Sequence, residues 1–378
     1  MIRNSKKRIL MLPGVCLILW SRSLWAADGL ETWTLRTNPL ASTNSLFSIA
    51  AANNRFVAVG GADSNPFSPG GGVIITSSDG MNWTQTRSSG KLFHVAYGGG
   101  LFLAGGVGIF TSRDGDSWAS PTSGANGSGG VAYGKNMFVA AAGRDVYTST
   151  NAVTWTRSAI PIAEASFRDL SFGNGQFVAA GGSHGSGIST STNGTSWTVR
   201  SGARVVSVTY HAGVFLAAGY FGTVITSFDG ISWLTRDSGT TNMLLGVGYG
   251  GGVYVAVGSR GTIVTSTDAA IWTPRRSGVT NDLTAVAYCN GRFIAVGANA
   301  TILESGPVMH WDRFRPLAGG AVQFTLAGPT GQVLELQTST DLIKWSGLTG
   351  IELTEPSTAF VIISATNYSQ RFFRSVVP

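Results

Sequence analysis

The chain has 378 residues, which is enough to bury a large core and exceeds the usual size of one compact domain. Charged residues make up 12%, too few for a coiled coil or a charge-rich disordered chain, and the 52 glycines are about twice the average share. Glycine in this amount, together with many β-branched and aromatic residues, predicts short strands joined by tight turns.

The first residues have the pattern of a secretory signal peptide. A basic start, with Arg3 and Lys6, is followed by a twelve-residue apolar run over 9–20 and by the small residues Ala26 and Ala27. The run is too short to span a bilayer as a helix, and we expect no membrane span after its removal. We therefore predict a signal peptide over 1–26 and a secreted, periplasmic or cell-envelope location.

The charge of the chain changes when this leader is removed. Residues 1–26 hold five basic residues and no acidic one, so 21 basic and 19 acidic residues remain and the net charge falls from +7 to +2. A nearly neutral protein gives little reason to expect a nucleic acid partner. Cys289 is then the single cysteine, so no internal disulfide can form and stability must come from packing.

A repeat of roughly forty residues runs through most of the chain. Tryptophans recur at intervals of 35 to 50 residues, at positions 33, 83, 118, 155, 197, 233, 272 and 311. A second aromatic series has seven members: Phe56, Phe102, Phe138, Phe177, Phe215, Tyr254 and Phe293. Self-similarity at this period indicates a propeller, a solenoid or another array.

Each repeat has the pattern of four strands. In the sixth, residues 245–249 alternate apolar and small side chains, three glycines follow, and residues 253–258 form a continuous apolar strand. Residues 262–266 and 271–273 are the expected third and fourth strands. Seven such units predict an all-β, seven-bladed β-propeller over 27–311, and a closed ring without a free sheet edge is expected to be a monomer.

Six repeats carry the motif Ser-x-(Asp/Asn)-x-x-x-Trp, which we call the box turn. In four of the six a glycine follows the acid or amide, and in the other two Ala152 and Ala269 take its place. The short polar side chain is expected to cap its own turn and the tryptophan to pack between sheets, so the assigned role is structural. The residues are Asp79, Asp114, Asn151, Asn193, Asp229 and Asp268, with Trp83, Trp118, Trp155, Trp197, Trp233 and Trp272.

The box turn resembles the Asp-box, or BNR, repeat of sialidase-like propellers. With Gly-x-Ile before it, as in Gly261-Thr262-Ile263, the chain most resembles the photosystem II assembly factor family and its bacterial homologues. The resemblance covers about residues 30–311. It implies a seven-bladed propeller of a kind whose members chaperone or scaffold other proteins.

The two ends of the ring must be joined by one of the tryptophan segments. We predict that residues 31–36 supply the outer strand of the last blade; the alternative is 309–311, whose box is degraded by Pro307 and Val308. Residues 312–378 lack the apolar strand of the repeats and resemble the small β-sandwich modules of secreted bacterial proteins, with a divergent eighth blade as the alternative. Strands are expected there over 322–326, 332–337, 359–364 and 371–377.

Ligands are expected on the face that carries the loops between second and third strands, opposite the box turns. Arginine beside exposed aromatic side chains suits acidic or planar partners and protein hot spots. The candidate partner-binding residues in these loops are Arg144, His184, Tyr220, Phe221, Arg260 and Asn299. Seven further arginines are interpreted as outer-strand ends that keep the rim soluble: Arg36, Arg87, Arg157, Arg200, Arg236, Arg275 and Arg276.

The sequence offers little for catalysis, and no catalytic residue is assigned. The four histidines form no i, i+4 pair and have no cysteine partner, so we expect no metal and no cofactor. A glycosidase needs two carboxylates. Glu164 and Asp169, which we place in one inter-blade loop, are the best remaining pair, and Glu304 is interpreted as structural.

Two functions from different classes remain open. The first is a non-enzymatic propeller that acts as a scaffold or assembly factor and binds another protein through its loop face. The second is a carbohydrate-active propeller, either a lectin-like binder of glycans or a divergent sialidase-like glycoside hydrolase.

Cleavage of the leader is directly testable. When the chain is expressed with its own N-terminus in a secreting bacterial host, intact mass spectrometry is expected to find a mature protein that begins at Ala27. Recovery of a chain that still carries the apolar run over 9–20 would contradict the signal peptide.

Overall fold

A computed structural model describes residues 8–12, 15–19, 29–61, 71–88, 90–106, 108–119, 125, 127, 129–160, 167–181, 187–308, 310–316, 322–327, 333–339, 344, 346–353, 357–362 and 370–376. The chain divides into two units, one comprising Thr32–Cys289 with Phe293–Ser305 and the other Met1–Glu31, Asn290–Arg292 and Gly306–Pro378. Among the described residues no helix is long and apolar enough to cross a membrane.

The first unit is a β-propeller of seven blades, as predicted. In each blade the chain runs from an inner strand through a second and third to an outer strand, and in blade 2 the described outer strand is reduced to a bridge between Thr111 and Ala119. The strands are, for blade 1, Ser45–Ala52, Arg55–Gly61, Gly72–Ser77 and Thr84–Ser88; for blade 2, Leu92–Gly98, Leu101–Gly106 and Gly108–Ser112; for blade 3, Val131–Gly134, Met137–Ala142, Asp145–Ser149 and Thr156–Ala159; for blade 4, Phe167–Gly173, Gln176–Gly181, Ile188–Ser191 and Thr198–Ser201; for blade 5, Val205–His211, Val214–Gly219, Val224–Ser227 and Leu234–Arg236; for blade 6, Leu244–Gly250, Val253–Gly258, Ile263–Ser266 and Thr273–Arg275; and for blade 7, Leu283–Cys289, Arg292–Gly297, Ile302–Ser305 and Trp33–Leu35.

The outer strand of blade 7 comes from the opposite end of the ring. Trp33–Leu35 pairs antiparallel with Ile302–Ser305, with Thr34 opposite Glu304. This confirms the predicted closure by residues 31–36. The rejected segment instead contributes to His310–Pro316, a strand of the second unit.

Neighbouring blades are held together by side chains that pack on bare backbone. Tyr133 of blade 3 lies on Gly98 of blade 2, where a Cβ would come within 2.3 Å of the tyrosine Cβ. Phe172 on Gly134 and Tyr210 on Gly173 repeat the arrangement, and the gaps for a Cβ there are 2.1 Å. A side chain at these glycines would therefore push two blades apart.

The antiparallel path places two kinds of connection at each end of the ring. Hairpins between inner and second strands share one end with the box turns, and we call this end the box face. Connections between second and third strands, and those from one blade to the next, lie at the other end, which we call the loop face.

The box turns share one hydrogen-bond pattern, seen well in blade 5. Asp229 Oδ1 accepts from the Ser227 hydroxyl at 2.9 Å and from the backbone N–H groups of Ile231 and Ser232 at 2.9 and 2.8 Å. The Trp233 indole Nε1 donates to the Gly230 carbonyl at 3.0 Å. The acid thus closes its own turn.

Alanine replaces the box glycine in blades 3 and 6, and those turns are less complete. Ala152 and Ala269 hold the left-handed conformation, both at φ 57°, which disfavours a residue with a Cβ. The Nε1 atoms of Trp155 and Trp272 are buried and make no hydrogen bond among the described residues. Both alanine methyl groups are buried instead, at 2% and 1% exposure.

Arginines of the outer strands bind the third strand of their own blade. Each Nε donates to a threonine hydroxyl at 2.8–2.9 Å, in the pairs Arg200–Thr190, Arg236–Thr226 and Arg275–Thr265. In blade 7, Glu304 replaces the threonine and forms an ion pair with Arg36, whose side chain is 30% exposed while that of Glu304 is fully buried. The ring therefore closes through an ion pair whose carboxylate is buried and whose guanidinium is partly exposed.

The second unit contains two described sheets. Leu326 and Leu353 are buried in it. A five-stranded sheet has the order Arg8–Leu12, Val15–Leu19, Gln370–Val376, Val333–Ser339 and Ser346–Glu352, and a three-stranded sheet the order His310–Pro316, Val322–Ala327 and Ser357–Ile362. All four strands expected in this region are present, and Ser346–Glu352 and His310–Pro316 are additional. The boundaries proposed at 26 and 311 stay predictions.

The apolar leader forms strands in the structure, although the sequence suggested that it lies outside the fold. Arg8–Leu12 pairs antiparallel with Val15–Leu19, which lies parallel to Gln370–Val376. An open sheet edge pairs with an available apolar segment because its N–H and C=O groups are otherwise unused. Cleavage after residue 26 would remove both strands, and it stays a prediction.

The closure pair gives an asymmetric mutational prediction. Arg36→Ala removes the ion pair from the buried Glu304 carboxylate and is expected to lower the free energy of unfolding by about 3–5 kcal/mol. Arg236→Ala, the matched change at a neutral pair, is expected to cost about 1 kcal/mol. Glu304→Thr restores the arrangement of blades 4 to 6 and should cost less than Arg36→Ala. Urea denaturation measures all three, and equal losses for the two arginine variants would contradict the role of the charge pair.

The box acids predict a loss of stability in acid. Partial burial raises the pKa of Asp79, but hydrogen bonds from Asn82, Met81 and Ser77 outweigh it, and the pKa falls from 3.8 to about 2. The backbone N–H groups of Ser232 and Ile231 likewise lower the pKa of Asp229 to about 2. Since the folded pKa lies below the unfolded value, these carboxylates stabilise the fold above about pH 4, and the contribution disappears as the pH falls through about 2.

Asparagine is the matched control because blades 3 and 4 already carry Asn151 and Asn193 at this position. Between pH 4 and 2.5, the free energy of unfolding of the wild type is expected to fall more steeply than that of the double variant Asp79→Asn, Asp229→Asn. If the free energy of unfolding falls equally with pH in the two proteins, as measured by urea denaturation, the box acids do not cause the loss of stability in acid.

Candidate functional site

Three consecutive blades present the same turn on the loop face. In blades 5, 6 and 7 the turn tip has a left-handed backbone, with Phe221 at φ 56°, Arg260 at φ 56° and Asn299 at φ 55°. The residue before each tip accepts a hydrogen bond from a threonine N–H at 3.0–3.1 Å, in the pairs Thr223–Tyr220, Thr262–Ser259 and Thr301–Ala298. The first two turns are the 3-10 segments Tyr220–Gly222 and Ser259–Gly261.

Blade 5 carries the most exposed aromatic side chain of this face that the structure describes. Phe221 is 69% exposed and Tyr220 is 39% exposed, with their ring centroids 6.5 Å apart. The Arg204 guanidinium carbon lies 5.9 Å from the centroid of the Phe221 ring, within the range of a cation–π contact. The exposed Phe221 ring and the Arg204 guanidinium together form a surface of the kind that binds other proteins.

The predicted site residues lie along this face as far as the structure describes them. Arg144 is exposed in the turn before the third strand of blade 3, and its carbonyl accepts from Ile160 N at 2.8 Å. Arg260 and Asn299 are exposed at the tips described above. His184 and the blade 1 insertion over 62–70 lie outside the described residues. Whether these side chains bind a partner stays a prediction.

The inner strands contain a feature that periodicity did not predict. Their register shifts by one residue near the loop face in blades 1, 2, 4, 5 and 6. A bulge turns the extra residue away from its regular direction. The residues skipped by the pairing are Phe47, Phe93, Arg168, Val206 and Leu245, and all of them line the central channel.

The channel holds a cavity of about 460 Å³ between these bulges. This volume falls within the range of small-molecule sites. Phe47 and Phe93 stack at one side, with ring centroids 5.7 Å apart and an interplanar angle of 22°. Arg168, Asp169 and His94 supply the charged and polar part of the lining.

Both carboxylate oxygens of Asp169, in the channel lining, contact protein groups. Its Oδ1 lies 3.0 Å from His94 Nε2 and accepts from Leu170 N at 2.8 Å. Its Oδ2 accepts from the Ser207 hydroxyl at 2.8 Å and from Val208 N at 2.9 Å. His94 is thereby oriented with Nε2 on the acid, and its Nδ1 is buried without a hydrogen bond among the described residues.

The contact between His94 and Asp169 skips a blade, since His94 belongs to blade 2 and Asp169 to blade 4. The intervening blade 3 has Gly129 and Gly130 at the corresponding positions. A Cβ on Gly130, whose φ is +107°, would lie 2.9 Å from the Asp169 Cα, and one on Gly129 would lie 2.1 Å from the Phe167 carbonyl oxygen. The two glycines therefore permit the backbones of blades 3 and 4 to approach closely, and they place no side chain at the positions that correspond to Phe93 and His94.

Asp169 lies in the inner strand Phe167–Gly173, so its expected position in an inter-blade loop was wrong. Its partner in that prediction, Glu164, lies outside the described residues. The equivalent residue of blade 1 is Ser48, whose hydroxyl accepts from Val95 N of blade 2 at 3.1 Å, as Asp169 accepts from Val208 N of blade 5. Asp169 therefore joins blades 4 and 5 by hydrogen bonds and also contacts His94 of blade 2.

The described acidic side chains of the propeller form hydrogen bonds or ion pairs with other protein groups. Box acids close their turns, Glu304 binds Arg36, and Asp145 binds Arg157 at 2.8 Å. Asp282 accepts from Arg260 N at 2.9 Å. Within the described ranges no group of three or more His, Cys, Asp or Glu residues is placed to hold a metal ion.

No family model and no curated protein matches the sequence, but solved structures match the fold. YCF48 from Cyanidioschyzon merolae gives a TM-score of 0.55 at 18% identity, over 72% of this chain and 98% of its own. YCF48 bound to D1 peptide gives 0.56 at 16% identity, over 72% and 96%. The fold is that of these propellers. A catalytically inactive variant of virginiamycin B lyase from Staphylococcus aureus with quinupristin gives 0.60 at 9% identity, over 72% and 99%.

The sequence predicted the exposed residues of the loop tips but not the residues that line the channel. Turn positions between strands are marked by glycine, so Phe221 and Arg260 could be placed on the loop face. Arg204 escaped notice because it precedes an inner strand and reaches Phe221 only in three dimensions. Arg168 was not predicted because a one-residue bulge reverses the direction that strand alternation assigns to its side chain. His94 was not predicted because its contact, Asp169, lies two blades away.

Proposed function

We propose that this chain is a secreted or cell-envelope propeller that binds another protein through its loop face and catalyses no reaction. The observation that carries the proposal is the aromatic and cationic surface of blade 5, formed by Tyr220, Phe221 and Arg204. Arg260 and Asn299 extend it across the equivalent tips of blades 6 and 7.

The backbone of blade 5 supports a binding role for Phe221. A left-handed φ is unfavourable for a bulky residue, and it directs this ring into solvent at 69% exposure. Strain and solvent exposure both count against a purely structural role for the ring. Aromatic and arginine side chains that become buried on association supply most of the binding energy at protein interfaces.

The engagement of the acids supports a role without catalysis. A glycoside hydrolase needs one carboxylate free to give a proton and another to act as base or nucleophile. Asp169, the acid of the channel, already accepts three hydrogen bonds from protein groups, and its Oδ1 lies 3.0 Å from His94 Nε2. Virginiamycin B lyase shows that propellers of this fold also include enzymes.

YCF48 bound to D1 peptide provides a precedent for a propeller of this fold with a peptide partner. The carbohydrate alternative depends on the same Tyr220 and Phe221 rings, since flat aromatic surfaces also stack on sugars. A glycan panel probed with the wild type and Phe221→Ser separates the two, because only a glycan binder gives a signal that this substitution removes.

The decisive experiment compares two exposed phenylalanines of the same blade. Phe221 on the loop face is 69% exposed, and Phe228 on the box face is 70% exposed. Wild type, Phe221→Ser and Phe228→Ser serve as baits in a crosslinking pull-down from envelope extract, with quantitative mass spectrometry. A specific partner is expected to fall at least about 10-fold with Phe221→Ser and to be retained by Phe228→Ser.

The partner found in this way is then purified and its Kd measured with the same baits and with Arg204→Ala. Loss of binding with Phe228→Ser alone would assign the box face and contradict the proposal. A partner retained equally by all three baits, or no retained protein, would also contradict it.

A further inference from the structure

The central channel has the features of a second binding site, distinct from the proposed protein-binding tips. The described residues that line its cavity of about 460 Å³ all belong to inner strands. Five bulges at one level of the channel direct their extra residues into it. Bulges re-aim side chains beside binding sites more often than elsewhere.

Arg168 provides the site with an available cation. It occupies the bulge of blade 4 and is exposed, and among the described residues its guanidinium has no hydrogen bond or ion pair. The neighbouring Asp169 directs its oxygens to His94, Leu170, Ser207 and Val208. In this respect Arg168 differs from the outer-strand arginines, which bind threonine or glutamate in their own blades.

The other bulges supply an apolar surface. Phe47 of blade 1 and Phe93 of blade 2 are partly exposed and stacked. Their rings form a flat apolar surface in the lining of the same cavity as Arg168. Val206 and Leu245 continue the apolar lining from blades 5 and 6. A ligand that fits must therefore combine a flat apolar part with a negative group.

We propose that the channel binds a small monoanion, a carboxylate that carries an aromatic or similarly flat apolar group. The guanidinium of Arg168 takes the carboxylate in a paired hydrogen-bond geometry, and the flat group lies against Phe47 and Phe93. One cation beside a neighbouring carboxylate favours a single negative charge over a dianion, because Asp169 repels the second charge.

The probe for the test is 3-phenylpropionate, and 3-phenylpropanamide is its neutral isostere. Isothermal titration of the full chain is expected to show saturable binding of the acid and at least about 10-fold weaker binding of the amide. Arg168→Gln is expected to weaken the acid at least about 10-fold and to leave the amide unchanged. Phe93→Leu should weaken both ligands to a similar extent, since both carry the ring.

Arg260→Gln is the matched control, because it makes the same charge change at an exposed tip outside the cavity lining. It should leave the affinity for 3-phenylpropionate unchanged while it tests the loop-face surface in the partner assay, so the two proposals can fail separately. Thermal melting confirms that the variants are folded. Equal affinity for acid and amide, an unaffected Arg168→Gln variant, or the absence of saturable binding would overturn the proposal.

Discussion

Closure of the ring is the constraint on which the rest of this propeller depends. The outer strand of blade 7 comes from the opposite end of the chain, so its pairing joins segments that are far apart in sequence. The entropy of closing so long a loop must be overcome by contacts that local hairpins do not need. Blade 7 meets this need with the ion pair of Arg36 and Glu304, where blades 4 to 6 use an arginine and a threonine.

An ion pair with a buried carboxylate also favours one register of the closing strand. A slip by one residue would turn Thr34 and its neighbours to the opposite faces and would separate Glu304 from its cation. A neutral threonine would tolerate such a slip more easily. The exchange of threonine for glutamate in one blade is thus explained by the position of that blade in the chain.

The regular parts of the fold could be predicted because each blade repeats the same local chemistry. Tryptophan spacing, box turns and glycine hairpins indicate strand number and the end of the ring at which each turn lies. The close packing of Tyr133 on Gly98 could not be predicted, because a glycine that permits a neighbouring blade to approach looks the same in sequence as one that permits a turn. The strand His310–Pro316 could not be assigned either, since its tryptophan imitates the repeat.

Of the two candidate sites, the loop tips could be predicted from the sequence and the channel could not. Phe221 and Arg260 were predictable because exposed loop tips follow from strand order alone. The meeting of Arg168, Asp169 and His94 was not predictable, because these residues come together only when the inner strands surround one axis and because a bulge moves Arg168 out of the alternating pattern. Local patterns report on single blades, whereas the channel is a property of the whole ring.

The paired glycines of blade 3 have a consequence for recognition. A ring of seven similar blades offers a bound molecule nearly equivalent walls, and a flat ligand could lie in several rotated positions about the axis. Gly129 and Gly130 remove the side chains from one wall and allow His94 to reach Asp169 across it. The channel is thereby divided into an aromatic flank at blades 1 and 2 and a charged flank at blade 4. The pseudosymmetry of the blades is broken, and the channel wall presents different chemistry in different directions about the axis.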